Sequence, residues 1–222
     1  MSDANIDRKI AMQGLQSQED FERQMMANSE AMSRTFGGVS DTSSAEEKPK
    51  LALEGNELAD RAAANFQQAL KLAWEHRQDR FASPEEVARF VEELVSQVSE
   101  GLLPPGQGIW RNWQTEFPIQ SLPGQIEPDL QAFYREFCQR MQGNTDAVEF
   151  AGWVEKRFDG EIHAPADGCG RSTRLLSGMV LARSGHGLPN YRDRKEYYQN
   201  INKDWPQWQE YYRSLFTEGE TR

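Results

Sequence analysis

The chain has 222 residues, with 25 Lys and Arg against 35 Asp and Glu, for a net charge of -10. That length suits one domain with a real core plus an extra arm, and the acidic balance argues against general nucleic-acid binding, because phosphate contacts need clustered basic side chains. No apolar run approaches the ~18 residues of a membrane span, no signal-type apolar region follows the polar start, and two cysteines, Cys138 and Cys169, fit a reducing compartment better than a disulfide framework.

Residues 1–50 read as a flexible N-terminal arm and linker, and 51–222 as the folded domain. Within the arm, Phe21, Met25 and Met32 allow a short helix over 18–35, loosely attached; the Ser-, Gly- and Glu-rich stretch from Gly37 to Lys50 reads as linker. Order is expected from Leu51. Leu58, Ala62, Phe66, Ala69, Leu70 and Ala73 recur at helical spacing and predict a helix to about Arg80. Ser83-Pro84-Glu85-Glu86 is a helix start, with Ser83 as cap and Glu86 completing a capping box. Val87, Phe90, Val91, Leu94, Val95, Val98 and Leu102 then form one apolar stripe, which is core.

A Pro- and Gly-rich break at 103–108 leads into Ile109 to Ile119, whose alternation predicts a short extended hairpin. Leu130, Phe133, Tyr134, Phe137 and Met141 mark a helix over 128–141. Asn144 or Thr145 is expected to cap the next one, which carries Val148, Ala151, Val154 and Phe158 and ends at Asp159-Gly160. Trp205, Trp208, Tyr212 and Leu215 give a final helix an aromatic face. The fold class is all-α.

The chemistry concentrates in His163-Ala-Pro165-Ala-Asp167-Gly168-Cys169-Gly170-Arg171-Ser-Thr-Arg174. A Gly-Cys-Gly turn lets backbone N–H groups approach a ligand closely. The helix that follows starts with free N–H groups and a favourable dipole for anions. Arg171 and Arg174 share one face and fork onto phosphate oxygens. Read physically, this is a di- or triphosphate site with a base, His163, and an oxygen metal ligand, Asp167, beside it. Cys169 at a helix start near two arginines is expected to have a lowered thiol pKa and to be oxidation-sensitive. His76 and His186 have no comparable setting, and no His/Cys cluster points to zinc.

The stretch resembles the signature of the Fic family, His-x-Phe-x-(Asp/Glu)-Gly-Asn-Gly-Arg-x-x-Arg. His163, Asp167, Gly168, Gly170, Arg171 and Arg174 match; Pro165 replaces the Phe and Cys169 the Asn. The resemblance implies a Fic/Fido-type helical domain with a short β-hairpin flap. It implies a protein nucleotidyltransferase that moves AMP from ATP to a Ser, Thr or Tyr hydroxyl of a target protein. His163 would be the general base and Asp167 the ligand of Mg²⁺. Gly168, Cys169, Gly170, Arg171 and Arg174 would bind the nucleotide. Gly108-Ile109-Trp110-Arg111 is similar to the family's target-docking flap, which pairs with a target strand.

Glu54-Gly55 is similar to the end of the family's inhibitory motif, whose Glu pairs with the second signature Arg, here Arg174. Lys50 stands where that motif has Ser or Thr, and Glu218 near the C-terminus is the alternative. The Pro165 and Cys169 departures keep two other readings open. One is a transferase using another nucleotide or a diphosphate-linked donor. The other is a degenerate Fic domain that binds nucleotide or protein without catalysis. The expected location is cytoplasmic, or that of a secreted effector without a cleavable signal.

Overall fold

A computed structural model of the chain describes residues 17–34, 49–115 and 119–216. It is mainly helical, with eight α-helices and no strand among the described residues. They are α1 (Gln18–Arg34), α2 (Gly55–Glu75), α3 (Pro84–Ser99), α4 (Ile126–Gln142), α5 (Ala147–Glu155), α6 (Cys169–Arg183), α7 (Arg194–Ile201) and α8 (Trp205–Ser214). α5 runs on as a π-helical segment, Lys156–Ile162. None of these helices is long and apolar enough to cross a membrane.

The apolar stripes meet as their spacing predicts. α2, α3 and α4 pack side by side, with Val87, Val91, Leu94, Val95 and Val98 of α3 fully buried between neighbours. The signature helix α6 is central: it packs on α5, α2, α3 and α1 and is buried from Ser172 to Ala182. Burial on all sides explains why its sequence carries no simple amphipathic stripe. α8 closes the far side of α5, where Trp208 Nε1 donates to the Gly152 carbonyl at 2.7 Å.

Three local expectations change. The helix over 18–34 is not loosely attached. Phe21 is 0 % and Met25 2 % exposed, the Phe21 ring sits 5.5 Å from that of Trp74, and Asn28 Nδ2 donates to the Pro189 carbonyl at 2.8 Å. Its polar composition hid one apolar face wide enough to dock. The linker expected over 37–50 falls mostly outside the described residues. The cap of α5 is Asp146, whose carboxylate accepts from Glu149 N at 2.8 Å, rather than Asn144 or Thr145. Glu86 reaches the backbone N–H of Ala82 at 2.7 Å instead of that of the cap, Ser83, while Ser83 Oγ accepts from Glu86 N as expected.

The hairpin expected over 109–119 is not formed by the described residues; 116–118, where it would turn, lie outside them. Instead Trp110 makes a single antiparallel bridge to Pro165. Arg111 N donates to Ala164 O at 2.9 Å and Ala166 N to Ile109 O at 2.8 Å. The stretch therefore spends one backbone edge on the signature loop itself.

Candidate functional site

The approach to the site is set by the backbone. After α5 the helix widens into its π-helical turns, and His163 N donates to Phe158 O at 2.8 Å, five residues back. His163 itself is left-handed, with φ 50° and ψ 49°, a conformation that costs about 1–3 kcal/mol for a side-chain-bearing residue and persists only where the surroundings enforce it. Arg111 enforces it. This residue is 3 % exposed, and its guanidinium donates to the carbonyls of His163 at 2.6 Å, Trp113 at 2.6 Å, Ser121 at 2.5 Å and Ile162 at 3.1 Å. Arg111 is thus spent on holding the loop, while Ile109 and Trp110 are half-buried beside it.

Gly168 caps α6 with φ +71°, and a Cβ there would lie 2.4 Å from Val98 Cγ1, so only glycine fits. No side chain caps the helix start. The start of α6, with its uncapped N–H groups, borders an open cavity of about 590 Å³, the setting in which a helix start attracts anions. His163, Asp167, Gly168, Cys169, Gly170, Arg171 and Arg174 all line it. Opposite them stands the small-residue face of α2, with Ala59, Ala62 and Ala63.

The arginines differ. Arg171 donates to Asp167 Oδ2 at 2.6 Å and to the Ala62 carbonyl at 3.5 Å. Arg174 folds back toward its own helix start: a Cβ on Gly170 would lie 3.1 Å from Arg174 Nη1. Its Nε is buried with no hydrogen-bond partner. Glu54 is exposed at the start of α2, and among the described residues no ion pair joins it to Arg174. Glu218 lies outside the described residues.

His163 is the hub. Its Nδ1 lies 3.0 Å from the Asp159 carbonyl and 3.1 Å from Asp159 Oδ1. Both neighbours are acceptors, so Nδ1 carries the proton and Nε2 is left to react. Burial opposes charge on the ring, yet the Cys169 sulfur and the Asp159 carboxylate overcome it, and the pKa lies well above the ordinary histidine value. Burial likewise pushes the Asp159 carboxyl up, but His163 and, further off, Arg174 more than offset it, leaving the group below the usual aspartate range.

Cys169 reverses its expectation. Burial pushes the thiol up to about 11, against the pull of His163; the helix start does not compensate for lost solvent. With the thiol neutral, the Asp159 carboxylate is the charge that holds the imidazolium. A ring held protonated in this way must lose a proton before it can act as a base.

The statement that no His/Cys cluster is present also needs correcting. Asp159, His163 and Cys169 bring one donor atom each within 4.8 Å of one another. Sequence reading passed over Asp159 as a helix end. Its separation of four from His163 was the available signal, because it places the two on one helical face. His76 pairs with Asp79 at 2.6 Å and His186 is exposed, both away from the site. No protein-family model matches the chain, and no curated protein does either.

Proposed function

We propose that the chain is a Fic-like transferase that binds a nucleoside triphosphate, ATP first among them, and moves its nucleotidyl group to a hydroxyl side chain of a protein. The carrying observation is convergence: His163, the uncapped start of α6, Arg171 and Arg174 line one cavity facing the alanine wall of α2. The phosphates would lie on the N–H groups of Gly168 to Gly170, with both arginines screening the outer charges. Leu58, Ala59, Ala62, Ala63 and Phe66 give the cavity an apolar side that suits a base. His163, once neutral, would take the hydroxyl proton at Nε2 as oxygen attacks the α-phosphate and pyrophosphate leaves. Positioning and charge stabilisation would supply most of the rate.

Mg²⁺ would fit through Asp167. The ion is commonly held by one or two carboxylates plus substrate phosphates, and Arg171 occupies only one of the two Asp167 oxygens. Bound there, it would neutralise charge on the leaving phosphates. A target strand would meet the outer edge at Trp110, since the inner edge is already paired.

The test is intact-protein mass after incubation with each nucleoside triphosphate and Mg²⁺, for wild type, Glu54→Gly and His163→Ala. A nucleotidyl adduct in wild type or Glu54→Gly that is missing in His163→Ala supports transfer, and a gain in Glu54→Gly supports inhibition by Glu54. The imidazolium at His163 and the Arg171–Asp167 pair favour a second reading, a domain that binds a nucleotide without turning it over. Calorimetric binding unchanged by His163→Ala, with no adduct on any protein, selects that reading.

A further inference from the structure

We infer that Asp159, His163 and Cys169 form a binding site for a zinc-class divalent cation, with its open coordination position on the cavity. The inference stands apart from the transferase reading.

The donor set is carboxylate oxygen, imidazole nitrogen and thiol sulfur, with all three atoms within 4.8 Å of one another. An ion about 2.0–2.3 Å from such donors sets tetrahedral donor–donor edges of roughly 3.3–3.7 Å. The one edge resolved as a direct pair, His163 Nδ1 to Asp159 Oδ1, is 3.1 Å, so little movement is needed. Sulfur and imidazole select zinc and its neighbours over Mg²⁺ or Ca²⁺, which take oxygen ligands.

Two further observations point to a ligand. Asp159 is 0 % exposed, and its Oδ1 is met by a single group, the His163 ring at 3.1 Å, without a well-aligned hydrogen bond. A fully buried carboxylate with one poorly aligned partner is costly, and a cation at the centre of the cluster would complete its coordination. Cys169 Sγ has long contacts, 3.8 Å to Phe158 O and 4.0 Å to Thr173 Oγ1, and otherwise faces the His163 ring and the Asp159 carboxylate, the other two donors of the set. Tyr197 donates to Asp159 Oδ2 at 3.3 Å, an outer hydrogen bond of the kind that orients a ligating carboxylate.

Two of the three donors border the cavity. His163 and Cys169 line the cavity, so an ion can enter there and would keep a fourth position for water, the arrangement of an open rather than a closed zinc site. On binding, the thiol proton and the Nδ1 proton leave to solvent and no electron is transferred. If the chain is a transferase, an ion on Nδ1 leaves the remaining ring proton on Nε2, which can then no longer accept the hydroxyl proton, and zinc acts as an inhibitor.

The test uses the full chain with Co²⁺ alone, then Zn²⁺ in competition. Expected are one ion per chain, a thiolate-to-cobalt charge-transfer band with tetrahedral d–d bands, and bleaching by Zn²⁺. The band should persist in Cys138→Ser and vanish in Cys169→Ser. Asp159→Asn should weaken binding by more than about a hundredfold, the upper end seen for loss of even an outer partner. Circular dichroism monitors folding of each variant. If Cys169→Ser does not fold, a band kept in Cys138→Ser still assigns the sulfur, because the chain has only two cysteines. No band in wild type, a band surviving Cys169→Ser, or unchanged affinity in Asp159→Asn overturns the inference. None of these readouts involves nucleotide, so they fail or succeed separately from transfer.

Discussion

Replacing Phe21 by Ala asks whether α1 belongs to the body. The ring is fully buried, tilted against Trp74 at 5.5 Å, and so close to α6 that a Cβ on Gly178 would lie 3.2 Å from its Cε2. Truncating a phenylalanine in such a setting removes its transfer free energy and leaves a cavity, together about 3–5 kcal/mol. The polar contacts of α1, from Asn28 to the Pro189 carbonyl and from Leu188 N to Gln24 Oε1 at 3.1 Å, hold the helix in place while the cavity stays open. If α1 undocks instead, the loss is capped at the free energy of docking. Urea unfolding followed by tryptophan fluorescence, to which Trp74 is one of six contributors, should show a lowered midpoint in Phe21→Ala and a nearly unchanged one in the exposed control Arg23→Ala. A loss below about 1 kcal/mol would mean that α1 contributes no core, and the reasoning from burial fails.

Arg111→Lys keeps the charge but gives up the planar fork that reaches four carbonyls; we expect a loss of about 2–4 kcal/mol in chemical denaturation, because a point-like ammonium cannot span them. A loss within error would leave Arg111 free for target docking. Gly168→Ala must accept φ +71° and a clash at 2.4 Å with Val98, about 1–2 kcal/mol for the dihedral plus about 1–3 for overpacking. Thermal unfolding measures it, and a double variant with Val98→Ala should recover only the second part. Burial raises the Glu155 carboxyl above its ordinary value despite donors from Ser177, Tyr191 and Tyr212 and the field of Arg174. A raised folded pKa gives stability that is complete below the unfolded pKa and is lost as pH rises toward the folded one. Glu155→Gln should therefore gain on wild type as pH rises from the acid range toward neutrality, and parallel stability profiles for the two would sink this account.

The helical core was legible because its signal is periodic. Val87 to Val98 repeat at the helix period, and every one of these apolar residues is buried where that period puts it. α1 was underread because Phe21, Met25 and Met32 are diluted by polar neighbours whose exposure only the packed structure reveals. At the site, the turn at Gly168 followed from residue type and spacing, whereas the arginines diverge, Arg171 onto Asp167 and Arg174 back toward its own helix start. The thiol at Cys169 did not: its position at a helix start argued for a low pKa, but burial is a property of the whole fold and outweighed it. Arg111 was misjudged for a similar reason. Its partners are the carbonyls of Trp113, Ser121, Ile162 and His163, and backbone acceptors leave no mark in a sequence.

The strained residue and the buried carboxylate belong to one device. Had the turns after Glu155 stayed α-helical, His163 would follow them with negative φ and its ring would continue down the helix face. The π-helical turns add room, the left-handed backbone at His163 redirects the chain, and Arg111 takes both Ile162 and His163 carbonyls so that neither can relax. The outcome is a ring held over Asp159 at one side and open to the cavity on the other. That arrangement spends stability on geometry, the pattern expected where a backbone is kept strained for a ligand. It brings the start of α6 and the Asp159–His163–Cys169 cluster to one imidazole. It also makes Arg111, fifty-two positions earlier in the chain, the residue on which both depend.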